Sequence, residues 1–538
     1  MDKIKHMYRY LFDSNYGSGD HFLARWLFLR AMGLIYFSAF FALLFQVRGL
    51  IGVRGILPAA DYLREASSLG ALRFWYVPSL LWISRTDHML MAICWAGLIA
   101  SVVLIANVWP RAMLFICFVC FLSFVSAAQD FSGYQSDGML LEAGFLSLFL
   151  APSGFFPGLG FRQRPERAAM FLLLWEWFRI YFESGVVKLA SGDPTWRNLT
   201  ATYEYYQNGP LPTWIGWYVQ HLPSWFHVAT AAATLLMELV LVWMAFLSRP
   251  RKIVCFFVVT AWQIVVISTA NYTFLNYLVL SLAVFLVDDV FLQRFLPPRL
   301  RMVFDRDFRG TRVEDAEVEI SSQEETQTNS YRWSSLRTAT FAVALTWVFY
   351  ATTVPLVQMS WRDAPLPEKP VIALEPFRIA NQYGLFAVMT PHRYEIEFQG
   401  SNDGKDWVAY PFRYKPQQLN ERPRIYAPYQ PRFDWNLWFA SLGTWRQNLM
   451  VPRTEELLLE NDHDVLDLFA GNPFPNAPPR FVRAVIWQYW FSTMQQRRTE
   501  GIWWRRRLLG EYAPTLTKLP NGRFGVVDGP PPAIPDGP

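Results

Sequence analysis

Glu183, Lys188 and Asp193 stand at the end of a run apolar enough to be a membrane helix, in the stretch FESGVVKLASGDPTWRNLTATYEYYQNGPLP (residues 182–212). Charges at bilayer depth are costly, and they either carry function or are tightly paired. A lysine desolvated in an apolar pocket becomes a usable base, with Glu183 or Asp193 tuning it. The structural reading stands beside the chemical one: Lys188 snorkels to the interface, or pairs with Glu183, Asp193 or Glu176. Ser191-Gly-Asp-Pro-Thr-Trp196 reads as a turn that caps one helix and starts another.

Other polar residues also fall inside apolar runs: Glu142, Glu176, Arg179, Glu238 and Gln263. Glu176 and Arg179 share a helix face, so an internal ion pair is expected. Glu238 must find its partner across the bundle. The histidines make no metal site, since His221 and His227 lack the i, i+4 spacing of a zinc helix. Nucleophile elbow, P-loop and zincin motifs are absent from the sequence. Cys117-Phe-Val-Cys120 has C-x-x-C spacing but lies mid-membrane, where a small packing role is expected rather than thiol chemistry.

The elements that must position these residues follow from composition. The chain has 538 residues, 52% of them hydrophobic and 17% charged. The apolar surplus gathers in blocks near the length that crosses a bilayer, about 20 residues. Candidate spans are Trp26–Phe45, Met89–Trp109, Met113–Ala128, Met139–Ala151, Ala168–Val187, Phe226–Leu247, Ile253–Ala270, Phe274–Phe291 and Thr338–Val357. The Met139 run is short for a span. The fold expected is a polytopic helical bundle with membrane lipid as its first partner.

Net charge is +5, but the basic residues sit in loops and follow the positive-inside rule, which argues against nucleic acid as a partner. With the N-terminus cytoplasmic, the turns at Arg111, Arg162–Arg167, Arg249–Lys252 and Arg294–Arg337 share its side. Turns Gln129–Ser136 and Asn271–Thr273 carry no Lys or Arg. Only the loop Arg48–Arg85 is out of step. This places Ser191–Ser224, and everything after Val357, outside the cytoplasm.

Four units are expected: a membrane domain (1–304), a polar cytoplasmic linker (305–337), a last span (338–358) and an exported β-rich, antiparallel sandwich-like α+β domain (359–538). In the last, Arg393–Gln399 alternates with period two, Ser401-Asn-Asp-Gly404 signals a hairpin, and Trp407–Tyr414 is the return strand. Val371–Met389 supplies one or two further strands, Glu455–Phe469 a helix and Arg480–Phe491 more strand. Arg497–Arg507 reads as a basic, aromatic helix at a lipid interface or packed on the β-domain. This region has no cysteine, and the four in the chain all fall in spans.

Four blocks in order carry a family resemblance: residues 182–212, NQYGLFAVMTPHRYEIEFQGSNDGKDWVAYPFRYKP, YQPRFDWNLWFASL and GNPFPNAPPRFVR. There the chain resembles the lipase maturation factor family, with Tyr429 standing where a PHQPR-type sequence has His. The resemblance implies a multi-pass protein of the endoplasmic reticulum membrane, or of the inner membrane if the source is bacterial. Its C-terminal domain would be lumenal or periplasmic and would engage exported clients such as lipases, without enzymatic activity or cofactor. Phe433, Trp435, Trp438 and Phe439 are the candidate client-binding residues; packing of the domain's own core is their other reading. A more distant similarity joins Gly185-Val-Val-Lys188-Leu189 to the G-V-K-K-L motif of vitamin K-dependent gamma-carboxylase, with Val187 in place of the first lysine. The alternative it implies is an intramembrane enzyme or transporter using Lys188 as base.

Overall fold

A chain in lipid must satisfy its backbone internally, so each apolar run folds as a helix. The computed structural model describes residues 7–8, 10–12, 17–298, 301–302 and 328–528, side chains 328–335, 337 and 528 excepted. Its long helices are α1 (Phe22–Leu44), α2 (Asp87–Ile105), α3 (Pro110–Val125), α4 (Gln135–Leu150) and α5 (Arg167–Ala190), then α6 (Ser224–Leu239), α7 (Arg249–Thr269), α8 (Leu275–Ala283) and α9 (Thr328–Ser360). Among the described residues, five helices are long and apolar enough to cross a membrane by composition alone. They are α1, α2, Ser224–Phe246, α7 and Thr338–Ser360. Leu275–Leu286 and Asp289–Phe295 are apolar enough only when taken together, and they are bent by 104° at the break between them, as in a broken span or a re-entrant loop. Helices α3 and α4 have 16 residues each, while α5 has 24 but carries charges along its length. The last helix begins at Thr328 rather than Thr338; the linker positions 305–327 lie outside the described residues.

The connections gather at two ends of the bundle. At one end Arg25 donates to the carbonyls of Leu159 (2.9 Å), Gly160 (2.8 Å) and Gln163 (2.7 Å). There Asp289 accepts from the first amides of α1, Phe22 (2.8 Å) and Leu23 (2.9 Å), and Arg249 pairs with Asp288. At the other end lies the C-terminal region. Asn271 accepts from the amides of Tyr426 (2.7 Å) and Ala427 (3.0 Å), and Trp217 packs edge-on against Trp503. The out-of-step loop belongs to this end too. Arg48 and Arg54 reach Asp464 (2.9 Å) and Asp462 (3.1 Å) of the C-terminal region, so these cations are locally neutralised.

The C-terminal region is built on an antiparallel sheet of β1 (Arg393–Ser401), β2 (Val408–Ala409), β3 (Phe481–Phe491), β4 (Trp504–Lys518) and β5 (Phe524–Asp528), in the order β2-β1-β3-β4-β5. Helix α10 (Arg432–Ala440) packs on β1, and α11 (Met450–Leu459) on β3 and β4. Ile396, Phe398, Val482, Ala484 and Ile486 line the covered face, and their core runs without a break into that of the bundle.

Four local expectations change. The return strand is only Val408–Ala409. The helix expected at Glu455–Phe469 is split into Met450–Leu459 and His463–Leu466, because Asn461 takes a positive φ of 55° and Asp462 caps the second piece. Arg497–Arg507 is not one helix. Met494–Thr499 is helical, and Arg505, Arg506 and Arg507 enter β4, with Arg506 over Trp487 at 4.1 Å. Val371–Met389 supplies no strand. It turns at Lys369–Ile372 and Glu375–Phe377 and then runs back onto the bundle, where helix side chains rather than a neighbouring strand take its backbone groups.

Candidate functional site

Helix α5 carries Glu176, Arg179, Glu183 and Lys188, all buried. It packs against α4, α6, α8 and α9, so these side chains are turned into protein rather than lipid. The internal Glu176–Arg179 pair does not form. Arg179 pairs instead with Glu142 of α4, which is nearer across the bundle, and lies 3.9 Å from Glu183. Lys188 likewise bypasses Glu183, Asp193 and Glu176: its partner is Glu238 of α6, at 2.8 Å. Glu238 thus finds the partner across the bundle that its position demanded.

What these groups share is a strap, residues 381–389, laid along the end of α5. Arg179 donates to the Asn381 carbonyl at 2.6 Å, and Glu142 accepts from the Asn381 amide at 3.0 Å. The Tyr383 amide donates to Glu183 at 2.6 Å and its hydroxyl to Glu142 at 2.9 Å. The Leu385 amide donates to the Ser184 hydroxyl at 3.2 Å, and its carbonyl accepts from Lys188 at 2.9 Å. Ser191 donates to the Ala387 carbonyl at 2.8 Å, and Asp193 accepts from the Met389 amide at 2.7 Å. Gly384 and Phe386 are held as well, the Gly384 amide by Gln135 at 3.1 Å and the Phe386 carbonyl by the Trp196 indole at 2.9 Å, and the strap turns at Phe386, which takes a positive φ of 57°. The helix side chains supply what a neighbouring strand would.

Glu183, Lys188 and Asp193 are therefore spread along the strap and not gathered around one point. Asp193 also caps Pro194–Arg197 through the Thr195 amide at 2.8 Å. Burial raises its pKa, but the Met389 and Thr195 amides outweigh burial and hold the carboxyl below its ordinary value. The Lys188 ammonium has three protons and three acceptors: Glu238 and the Leu385 carbonyl, with the Ser184 carbonyl at 3.5 Å. A cavity of about 120 Å³ adjoins it, lined by rings such as Tyr181, Trp196, Tyr205 and Phe386 together with polar side chains such as Ser184, Thr234, Gln263 and Asn276. With its protons donated to fixed protein acceptors, Lys188 is a clamp, and the base or transporter alternative gains no support.

Sequence reasoning did not reach the strap or the dock behind it. Arg432, at the start of α10, forms a two-pronged pair with Asp137 of α4 at 2.7 and 2.8 Å and donates to the Phe131 carbonyl at 2.7 Å, all buried. Two prongs fix orientation as well as distance. A signal was present in both cases, since NQYGLFAVM and PRFDW lie inside the resemblance blocks.

The four aromatic candidates of α10 divide. Phe433 is buried among Phe398, Phe412 and Phe469, where it packs the core. Trp435 stands edge-on to Tyr134 at 5.3 Å, and the Trp438 indole donates to the Asn208 carbonyl at 3.0 Å. Phe439 is 45% exposed. Trp435, Trp438, Phe439 and Leu442 line one side of a cavity of about 370 Å³, and Tyr134, Phe386 and Met389 line the other. A groove between bundle and C-terminal region, walled by rings with backbone polar groups at hand, suits an apolar peptide segment.

Residues 23–294 match the lipase maturation factor transmembrane domain, and residues 379–514 the lipase maturation factor C-terminal domain. The chain is 31% identical to lipase maturation factor 1 of Bos taurus, across 93% of this chain and 90% of that protein. It is 30% identical to lipase maturation factor 2 of Gallus gallus (92% and 81%) and 29% to lipase maturation factor 1 of Homo sapiens (93% and 89%). No solved structure matches. Helix α5, the strap laid on it and the residues of the groove all fall within matched segments, and the chain belongs to the lipase maturation factor family.

Proposed function

We propose that this protein assists the folding or assembly of exported proteins, lipases among them, by holding apolar client segments in the aromatic groove. The observation that carries the reading is the groove itself, whose inner rings are fixed by the bundle while Phe439 stays exposed at its edge. In the same reading this face is lumenal or periplasmic, because the basic loops gather at the opposite end and follow the positive-inside rule. The units proposed are the membrane domain, the linker, the last span and the exported domain, with the strap and α10 locking the exported domain to the bundle.

The test is secretion of active lipase from cells whose own factor is deleted, complemented with variants. Losing one aromatic contact in the groove costs about 1–2 kcal/mol, roughly 5–30-fold in affinity. Phe439→Arg is expected to lower secreted activity several-fold at unchanged protein level. Val526→Arg, on the exposed edge strand β5, is expected to leave it unchanged. Full activity of Phe439→Arg would remove the groove from the function.

A further inference from the structure

Between α1 and α2 the loop runs through two short turns, Ser67–Leu72 and Arg73–Tyr76, that bury none of their own residues. Their apolar side chains face out: Leu72 is 60% exposed, Ile83 beyond them 76%, and Leu69, Phe74, Trp75 and Tyr76 are exposed as well. Exposed patches of this kind mark a contact surface. The loop is anchored at a definite depth. The Ser79 hydroxyl donates to the Ser123 carbonyl at 2.9 Å, and the Leu80 amide to the Ser123 hydroxyl at 3.0 Å. Ser123 lies within the last turn of α3, which ends at Val125. The patch is therefore held level with the end of α3, and the ends of helices in a membrane bundle are expected near the headgroups.

Two further observations select lipid as the occupant. Ile83 leads directly into α2, whose Trp95, Ile99 and Val102 are exposed along a helix that crosses the bilayer, so the patch continues a lipid-facing surface. The charges of the loop also divide. Arg48, Arg54 and Arg64 pair with Asp464, Asp462 and Asp61. Arg73 and Arg85 instead lie over the Trp82 ring, at 5.0 and 5.2 Å from its centroid; Arg85 also donates to the Ser67 hydroxyl at 3.3 Å, and neither has a carboxylate partner among the described residues. Guanidinium groups beside Trp82 and Phe74 at this level match phosphate chemistry.

We propose that residues 67–83 form an interfacial paddle whose Leu72, Phe74, Trp75 and Ile83 insert into the leaflet on the face shared with the C-terminal region, with Arg73 and Arg85 at the phosphates. All four native cysteines are buried, so one introduced thiol can be labelled by itself. Leu72→Cys, and separately Ile83→Cys, would carry an environment-sensitive dye in the full chain, reconstituted in phosphatidylcholine nanodiscs. Val527→Cys on β5, 54% exposed, is the aqueous reference. The paddle labels are expected to emit at shorter wavelength than the reference. They should be quenched several-fold more by brominated acyl chains and several-fold less by iodide. Paddle labels that match the reference in all three measurements overturn the proposal. A wavelength shift that arises only when an unfolded lipase is added also overturns it, and assigns the surface to protein.

Discussion

Lys188 shows how a charge inside a membrane protein is decided by geometry rather than by type. Its ammonium joins α5, α6 and the strap at one point, through Glu238, the Ser184 carbonyl and the Leu385 carbonyl. Breaking a buried pair by removing one partner leaves the other charge uncompensated, at a cost of about 3–5 kcal/mol, whereas replacing both with apolar groups is often neutral. Lys188→Met is therefore expected to lower the thermal midpoint of the detergent-solubilised protein sharply. Lys188→Met with Glu238→Leu should recover most of that loss, short of about 1 kcal/mol for the Leu385 carbonyl left without its donor. A double variant that is stable yet inactive in lipase maturation would return a chemical duty to the lysine. From the sequence, the cost of Lys188 and the need of Glu238 for a partner were both legible. That the two meet was not, since fifty positions of chain separate them.

At the scale of elements, the strap and α10 carry the join between bundle and sheet. Asp434 of α10 accepts the amides of Tyr414 and Lys415, at 3.3 and 3.2 Å, in a fully enclosed site. Burial pushes its carboxyl up to about 6, against the pull of Lys415 and those two amides. A raised carboxyl means the folded state binds its proton more tightly than the unfolded state does. Stability is therefore gained as pH falls from above 6 toward the unfolded value near 4, and lost as pH rises through 6. A shift of this size corresponds to about 2–3 kcal/mol. Unfolding midpoints between pH 7.5 and 4.5 are expected to climb on acidification, and Asp434→Asn to reduce that climb. Equal slopes for both proteins would refute the assignment. The alternation of β1 and the hairpin after it were readable locally. The strand expected within Val371–Met389 does not form, because the strap turns at Phe386 and its backbone groups go to side chains of α4 and α5 rather than to a neighbouring strand.

For the molecule as a whole, the connections sort onto two ends, and two cations of the loop that broke the charge pattern, Arg48 and Arg54, lie beside Asp464 and Asp462 of the C-terminal region. A protease site inserted at the Asn521–Gly522 turn, which is exposed between β4 and β5, checks the orientation. In sealed vesicles with the cytoplasmic face outward it is expected to resist cleavage until detergent is added. Cleavage of intact vesicles would invert the proposed topology.

The sequence alone determined the helical bundle, the sheet-bearing C-terminal region and the family. Each of these rests on local information: an apolar run must close its own hydrogen bonds in lipid, and long blocks of residues in order identify a lineage. Only the tertiary structure decided that Arg179 pairs with Glu142, that Arg432 docks on Asp137 and that residues 381–389 lie along α5. Those pairings depend on which distant segments approach one another, and a buried charge states its need for a partner without naming it.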